Sequence, residues 1–285
     1  MKFRFVQENR ETFRVGSMCA ELGVSRSGFY AWLKRGDSER AKENAILAEK
    51  IRVIHSESRG TYGSPRVYRA LRDEGERFGK HRVARVMRLE GIRGCARKRF
   101  RFTATKHEDI PAAPNRLAQN FTTSSPNRVW VADVTQVRTQ EGWLFLAIVL
   151  DLYSRRVVGW ATAAHTGQEL AIEALDNAIR TRRPPPGLVH HSDRGGMYLS
   201  TDYQDLLDRN GMICSMSRPG NCLDNAVAQS FFHTLKTEWL YHHRFQTRDQ
   251  ARLFIFDYIE SFYNRTRLHS TLGYRSPMQY ETVAA

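Results

Sequence analysis

Three polar positions in this 285-residue chain invite a chemical reading. Asp133 stands inside the apolar run "VWVADVTQV". Asp193 ends the run "GLVHHSD" and opens into the glycine turn "RGGMY". Gln229 sits in "DNAVAQSFFHTLKTE", which reads as the start of a helix. A carboxylate within an apolar strand is costly unless it is paired or metal-bound. Two of them, from non-adjacent strands, suggest a shared metal. Hard divalent cations such as Mg2+ take oxygen ligands and keep part of their water. The plainer alternative is two structural aspartates that cap turns. It is respectable for Asp193, just ahead of Gly195, and weak for Asp133 within its strand. A third acid is wanted on an element facing those strand ends. The 35 residues 194–228 follow Asp193, and the next position is a glutamine.

The elements around these positions alternate strand and helix. "VWVADVTQV", "WLFLAIVLDLY" and "RRVVGWAT" predict three linked strands, the last two joined by a turn at Ser154-Arg155. The amphipathic helix "GQELAIEALDNAIRTR" follows. After the "PPPG" break come the strand "GLVHHSD", the helix "STDYQDLLDRNG", the strand "MICSMS" and a helix over 224–241. Three strands and then alternation predict an α/β unit, a mixed central sheet with flanking helices, over residues 129–245. Residues 246–285 add a helix, "RDQARLFIFDYIESFYNRT", and a loop tail.

Upstream of the sheet the pattern is all-α. "SMCAELGVSRSGFYAWLKRG" has the cadence of a helix-turn-helix within residues 1–38. A first helix ends near Leu22, Gly23 makes the turn, and Ser25 caps a second helix that runs to Lys34 before Gly36 stops it. Ala20, Leu22, Val24, Tyr30 and Leu33 form the expected apolar seam. Arg26, Ser27 and Lys34 remain outward for phosphates or base edges. Residues 39–92 predict a second helical DNA-binding unit. In it Ser64 is the expected N-cap, Pro65 takes the first helical position, and a third helix buries Val83, Val86, Met87 and Leu89. That helix carries His81, Arg82, Arg85 and Arg88 on its other face. The segment 93–128 is without period and reads as a linker. Its Arg97, Lys98, Arg99 and Arg101 can track a DNA backbone, although a disordered tether is a near equal alternative.

Charge supports that division. The net charge is +14; residues 1–120 hold 27 Lys and Arg against 14 Asp and Glu, whereas residues 121–285 hold 17 against 16. The polyanion-binding capacity therefore lies in the first half. No apolar run reaches the length of a membrane span, and the charged N-terminus lacks a signal core, so a cytoplasmic location is expected. The four cysteines, Cys19, Cys95, Cys214 and Cys222, form no disulfide framework or zinc pair. The doublets His190-His191 and His242-His243 read as structural rather than as metal ligands.

Taken together, "WVADVTQV", "VLDLYSRRVVGW", "HSDRGGMY", "SRPGNCLDNAVAQSFFHTLKTE" and "YNRTRLHSTLGYRSP" resemble, in order, the motifs of DDE transposases. More narrowly, the chain resembles the second-reading-frame product (OrfB) of insertion sequences of the IS3 group. "MCAELGVSRSGFYAW" matches as well, so the resemblance covers essentially the whole chain. It implies a ribonuclease-H-like, retroviral-integrase type core behind helix-turn-helix domains. It implies three acids holding Mg2+, with Mn2+ able to substitute, for cleavage that frees a 3′-OH and for strand transfer by that 3′-OH. Its implied partners are double-stranded DNA (terminal inverted repeats and target), a second copy of the chain at least, and an upstream-frame (OrfA) product joined by frameshifting. Location is then cytoplasmic, at the nucleoid.

Asp133 and Asp193 match the first two acids of that triad, and Gln229 falls where the family has its glutamate. A neutral amide oxygen is a poorer Mg2+ ligand than a carboxylate. The expectation is lost catalysis with the fold and DNA binding retained. One isosteric change in an otherwise intact motif set is the pattern of a deliberate substitution; a naturally non-catalytic DNA-binding regulator is the alternative. A ribonuclease acting on RNA–DNA hybrids fits the helix-turn-helix start less well. Glu238 faces away around the helix, Asp224 is expected as its N-cap, and Asp151 as a structural strand-end residue. The resemblance places Lys236 and His233 near DNA, and gives Arg267 and His269 either a DNA contact or a buttressing role.

Overall fold

The structure is a computed structural model that describes residues 1–35, 38–95 and 112–284. Three short helices open the chain: α1 (Lys2–Glu8), α2 (Val15–Glu21) and α3 (Arg26–Lys34). Gly23 turns between α2 and α3 at φ 61°, and the Ser25 hydroxyl accepts the Gly28 N–H at 3.0 Å as the α3 cap. The apolar seam differs from expectation. Val6, Met18, Cys19 and Phe29 are buried, with Phe3, Leu22, Val24 and Trp32 packed around them, while Ala20, Tyr30 and Leu33 face solvent. Phe29 and Trp32 share the spacing of Tyr30 and Leu33, so the period was legible and its phase was one residue off. Large aromatic rings decide the phase, with Phe29 and Trp32 stacked at 6.3 Å.

The next unit is α4 (Glu39–Glu57), α5 (Ser64–Asp73) and α6 (Lys80–Leu89), closed over Leu47, Ile51, Ile54, Val67, Leu71, Val83, Val86 and Met87. Gly63, not Ser64, is the N-cap of α5; Ser64 is already helical, and Pro65 stands in the first turn. Leu89, expected inside, is 72% exposed because it ends α6 beyond the reach of the core.

Five strands make one sheet in the order β3-β2-β1-β4-β5. β1 (Val129–Thr139) and β2 (Gly142–Asp151) form a two-residue hairpin, β3 (Val157–Ala163) continues antiparallel, and β4 (Val189–Ser192) and β5 (Ile213–Met216) add in parallel. The predicted order of strands and helices is the observed one. Crossover helices are α7 (Gln168–Arg182), the single turn α8 (Gly196–Leu199) and α9 (Thr201–Arg209). α7 presses on one face through Ala174 and Ala178, and it can do so because β3 offers Gly159. A Cβ on Gly159 would lie 2.3 Å from the Ala174 carbonyl oxygen.

The other face carries α10 (Ala226–Glu238) and α11 (Arg248–Phe256), the latter prolonged by a π-helical stretch, Asp257–Tyr263. α12 (Pro277–Ala284) ends the chain. Val131, Leu144, Leu146 and Ile148 meet Phe231, Phe232, Leu235, Ile255 and Ile259 in a core continuous with that of α4–α6. The helical unit is tied down by Arg59, bidentate to Asp257 at 2.6 and 3.0 Å and stacked over Trp239, and by the Tyr62 hydroxyl, bonded to Thr266 and Leu268. The described part of the linker is a strap rather than a tether. Leu117 is buried, the Arg116 N–H donates to the Ser215 hydroxyl, and Asn115 and Gln119 donate to Asp224.

Gly159→Ala is expected to cost about 1–3 kcal/mol, since the new methyl forces β3 from α7. Urea denaturation of both forms measures this; an unchanged midpoint would show that the two elements are not held at that distance.

Candidate active site

The position of the two aspartates follows from strand register. β1 and β4 pair in parallel as Val129 with Val189, Trp130 with His190 and Val131 with His191. Continuing that register by two residues sets Asp133 level with Asp193. The two strands are therefore sheet neighbours, contrary to the expectation of non-adjacent strands. They are separated in sequence only because β2, β3 and α7 intervene. Asp133 has the parity of Val131 and Val137, which places it on the face covered by α10.

Each carboxylate is pinned by a local backbone donor. Asp133 accepts the Val134 N–H and Asp193 the Gly195 N–H, both at 2.9 Å. They line one open cleft of about 390 Å3 with Thr135, Gln136, Tyr198 and Lys236. Burial at the cleft floor, and then the charge of Asp193, push the Asp133 carboxyl up to about 8; the Val134 N–H and Lys236 oppose the shift. Burial likewise lowers the Lys236 ammonium, and Asp133 works against that. The Tyr198 hydroxyl is buried without a hydrogen-bond partner.

Helix α10 supplies the third wall. Its first turn is anchored by Asn225, whose amide donates to the Ala132 carbonyl at 2.9 Å. Lys236 near its end faces Asp133. Gln229 and His233, at helical spacing between these two contacts, lie on the same stripe, toward β1. Asp224 is not the expected N-cap. It is fully buried in a 3-10 turn, Cys222–Asn225, and accepts from Arg218, Asn115 and Gln119. The Arg218 guanidinium holds its carboxyl well below the usual carboxylate range. Glu238 faces away as expected, into a buried pairing with Arg267 at 2.6 Å and the Tyr258 hydroxyl at 3.1 Å. Asp151 is structural as expected, accepting the Asn127 and Tyr153 N–H groups and the Trp130 indole.

The residues expected to touch DNA divide. Arg26, Ser27 and Lys34 are exposed on α3, and His81, Arg85 and Arg88 on α6. Arg82 differs from them: it is tied to Asn44 and Glu43 and stacked over Phe78, bracing α6 against α4. Arg267 is 5% exposed and consumed by Glu238, and His269 is packed edge-on to Tyr263. Both therefore buttress α10, the second of the two roles expected of them, and both also line a cavity beside that helix. Arg97, Lys98, Arg99 and Arg101 lie outside the described residues. The histidine doublets are structural: His190 meets the Tyr203 hydroxyl, His191 sits between Ser215 and Ser217, and His243 bonds the Trp239 carbonyl. Sequence reading passed over Asn225 and Tyr198, although both stand inside the motifs quoted for the two acids and the helix. A groove lined by Arg138, Trp143 and Tyr241 runs on from Gln136 and Lys236 and was likewise not anticipated.

Comparison with known proteins places this architecture. Residues 123–222 and 229–284 match two integrase core domain families, and residues 41–100 match an HTH-like domain. Transposase InsF for insertion sequence IS3A of Escherichia coli is 39% identical over 99% of this chain and 98% of its own length. The chain belongs to the IS3 family of insertion-sequence transposases. A second relative, the insertion element IS600 uncharacterized 31 kDa protein of Shigella sonnei, is 45% identical over 92% of this chain and 97% of its own. Among solved structures, a simian T-cell lymphotropic virus intasome is similar at a TM-score of 0.48 and 16% identity, covering 82% of this chain and 74% of that one. The HTLV-2 integrase catalytic core domain in complex with magnesium is similar at a TM-score of 0.42 and 18% identity, covering 55% and 97%. The two integrase core matches, on a mixed five-stranded sheet flanked by helices, make the fold of the transposase the ribonuclease-H-like integrase core. Its HTH-like match falls on α4–α6, and the α2–α3 hairpin lies outside that match.

A carboxyl raised by burial and by the charge of its neighbour, as at Asp133 beside Asp193, suits a divalent cation, whose charge favours the ionised form. Gln229 on α10 carries an amide, and among the described residues no group of three His, Cys, Asp or Glu side chains is placed to hold a metal.

The sign of the Asp133 shift gives a stability prediction. A folded-state carboxyl raised to about 8 binds protons that the unfolded chain has already released, so metal-free stability falls as pH rises from about 4 to 8. Asp133→Asn removes that cost. With chelator present, its melting point should exceed that of the parent at pH 8.5 by more than at pH 5. An equal difference at both values would contradict the electrostatic reading of the site.

Proposed function

We propose that this transposase binds the terminal repeats of its insertion element and the target duplex, and that Asp133, Asp193 and position 229 are its catalytic triad. Gln229 leaves that triad one charge short, so this form holds DNA without cutting it. The observation that carries the reading is the register of β1 and β4, which sets two carboxylates side by side in a cleft that α10 borders with Lys236, two helical turns along the same stripe from Gln229. When bound there, Mg2+ or Mn2+ would be held by Asp133 and Asp193, and would activate an attacking oxygen and stabilise a leaving one. The chain's own residues do the rest. Val134 and Gly195 amides fix the carboxylates, Asn225 fixes the start of α10, and Lys236 offers its ammonium to a phosphate at the cleft mouth. The exposed Trp143 and Tyr241 beside Arg138 provide a path for a strand leaving the cleft.

Arg26, Ser27 and Lys34 on α3 and His81, Arg85 and Arg88 on α6 are the proposed duplex-docking surfaces, which agrees with the strong positive charge of residues 1–120. The HTH-like match over α4–α6 supports the second of these. Copy-out-paste-in transposition by at least a dimer, with an upstream-frame partner in the active form, is the pathway this reading implies. Among the described residues no helix is long and apolar enough to cross a membrane.

A non-catalytic regulator is the competing reading, favoured by the same Gln229. Restoring the acid separates the two. Labelled duplex carrying the element's end should be nicked by Gln229→Glu in Mg2+ at a rate at least about 100-fold above this chain, since changes to groups that merely support a metal ligand already cost about 10–100-fold. Equal binding with no cleavage by either form would favour the regulator.

A further inference from the structure

Helix α10 borders a second cavity, roughly a third of a turn around the helix from the stripe that carries Gln229. Its volume is about 230 Å3, and its wall is cationic: Arg66, Arg155 and Arg267 all line it, with His269 between them and the hydroxyls of Ser230 and Ser270 at the exposed rim. Among the described residues Glu238 is the one acid in ion-pair contact with these cations, bonded to Arg267 and 3.5 Å from Arg66. Three guanidinium groups against one carboxylate leave an excess of positive charge in a half-buried space.

Arg155 is the least explained of the three. It sits in the turn between β2 and β3 with φ 61°, in the left-handed region, where a large side chain is uncommon and the surroundings must hold it. Its Nη2 donates to the Phe121 carbonyl at 3.1 Å, and its buried Nη1 has no partner among the described residues. A buried guanidinium nitrogen without an acceptor is costly, and the Arg155 side chain that carries it is one of the cavity's walls. Burial, followed by the charges of Arg267, Arg66 and Arg155, drives the His269 imidazolium well below its ordinary value, so the ring stands neutral among the arginines. Planar, multi-donor guanidinium groups with rim hydroxyls are the donor set that phosphate oxygens take.

We infer that the cavity bounded by Arg66, Arg155 and Arg267 binds a phosphate of the DNA backbone, so that α10 is flanked by nucleic acid on two sides. The pocket and the carboxylate cleft then read two phosphates of one bound DNA assembly. The inference rests on the DNA-binding reading above, and its test separates the two.

Full-length chain, Arg155→Gln and Ser270→Glu are compared in two assays. Ser270 is exposed, so the second variant places a repelling charge at the rim without disturbing the core. The first assay follows the melting point as inorganic phosphate replaces chloride at constant ionic strength. A saturable rise is expected for the parent and its loss in both variants; a rise unaltered in both overturns the pocket. The second assay measures affinity for the element's end against salt. The logarithmic slope should become shallower by about 0.9 in each variant, the value of one lost phosphate contact. Loss of the phosphate response with an unchanged slope overturns the assignment to DNA and leaves a site for a free anion. Failure of the parent to bind DNA, with the phosphate response intact, overturns the DNA assignment and the transposase reading together but not the anion pocket. Neither assay depends on cleavage.

Discussion

The parallel pairing of β1 with β4 is the constraint on which the rest of the site depends. It forces Asp133 and Asp193 to the same level at the end of a shared ladder, in a cleft where water only partly solvates them. Burial first, and then repulsion by the neighbouring Asp193, push the Asp133 carboxyl up to about 8. The protein tolerates the arrangement because the strands are locked elsewhere. β1 is hydrogen-bonded along its length to β2, and its apolar residues are clamped between α7 and α10. A cation or a phosphate-bound lysine is the natural complement to such a concentration of charge.

The third wall is positioned by interactions that do no chemistry. Asp224, fully buried, gathers Arg218, Asn115 and Gln119, and so fastens the strap before β1 to the turn that begins α10. Asn225 bonds the same turn to β1 itself. At the far end Glu238 is held by Arg267 and Tyr258. A 13-residue helix fixed at both ends can present one stripe to the carboxylates with little freedom to rotate. This explains why so many charged residues around α10 are buried in pairs, and why the Arg155 Nη1, buried without a partner among the described residues, stands out.

Much of this was legible in the sequence. Alternation of apolar strands with amphipathic helices gave the sheet, and an acid inside "VWVADVTQV" had no comfortable structural role, so Asp133 could be singled out before any geometry was known. The helix caps at Ser25 and the turn at Gly23 were equally plain, because their chemistry is local. What was not legible depended on partners distant in sequence. Arg82 and Arg267 look like surface cations in a linear reading, and only the fold brings Glu43 and Glu238 to them. Asp224 read as a cap because its partners at Asn115 and Gln119 lie in a segment with no period. The phase of α3 went astray for a related reason. Tyr30 and Phe29 are both aromatic, and only packing against Phe3 and α2 selects Phe29.

The central claim is that Asp133 and Asp193 form a paired carboxylate site which Gln229 leaves one charge short. Calorimetric titration of Mn2+ into this chain and into Gln229→Glu, at pH 8.5 and without DNA, tests it most directly. The account predicts binding at least about tenfold tighter for the Glu form, since a charged oxygen replaces a neutral one at the same place on α10. Equal affinity in the two forms would mean that position 229 does not face the carboxylates, and the account of the site would be wrong.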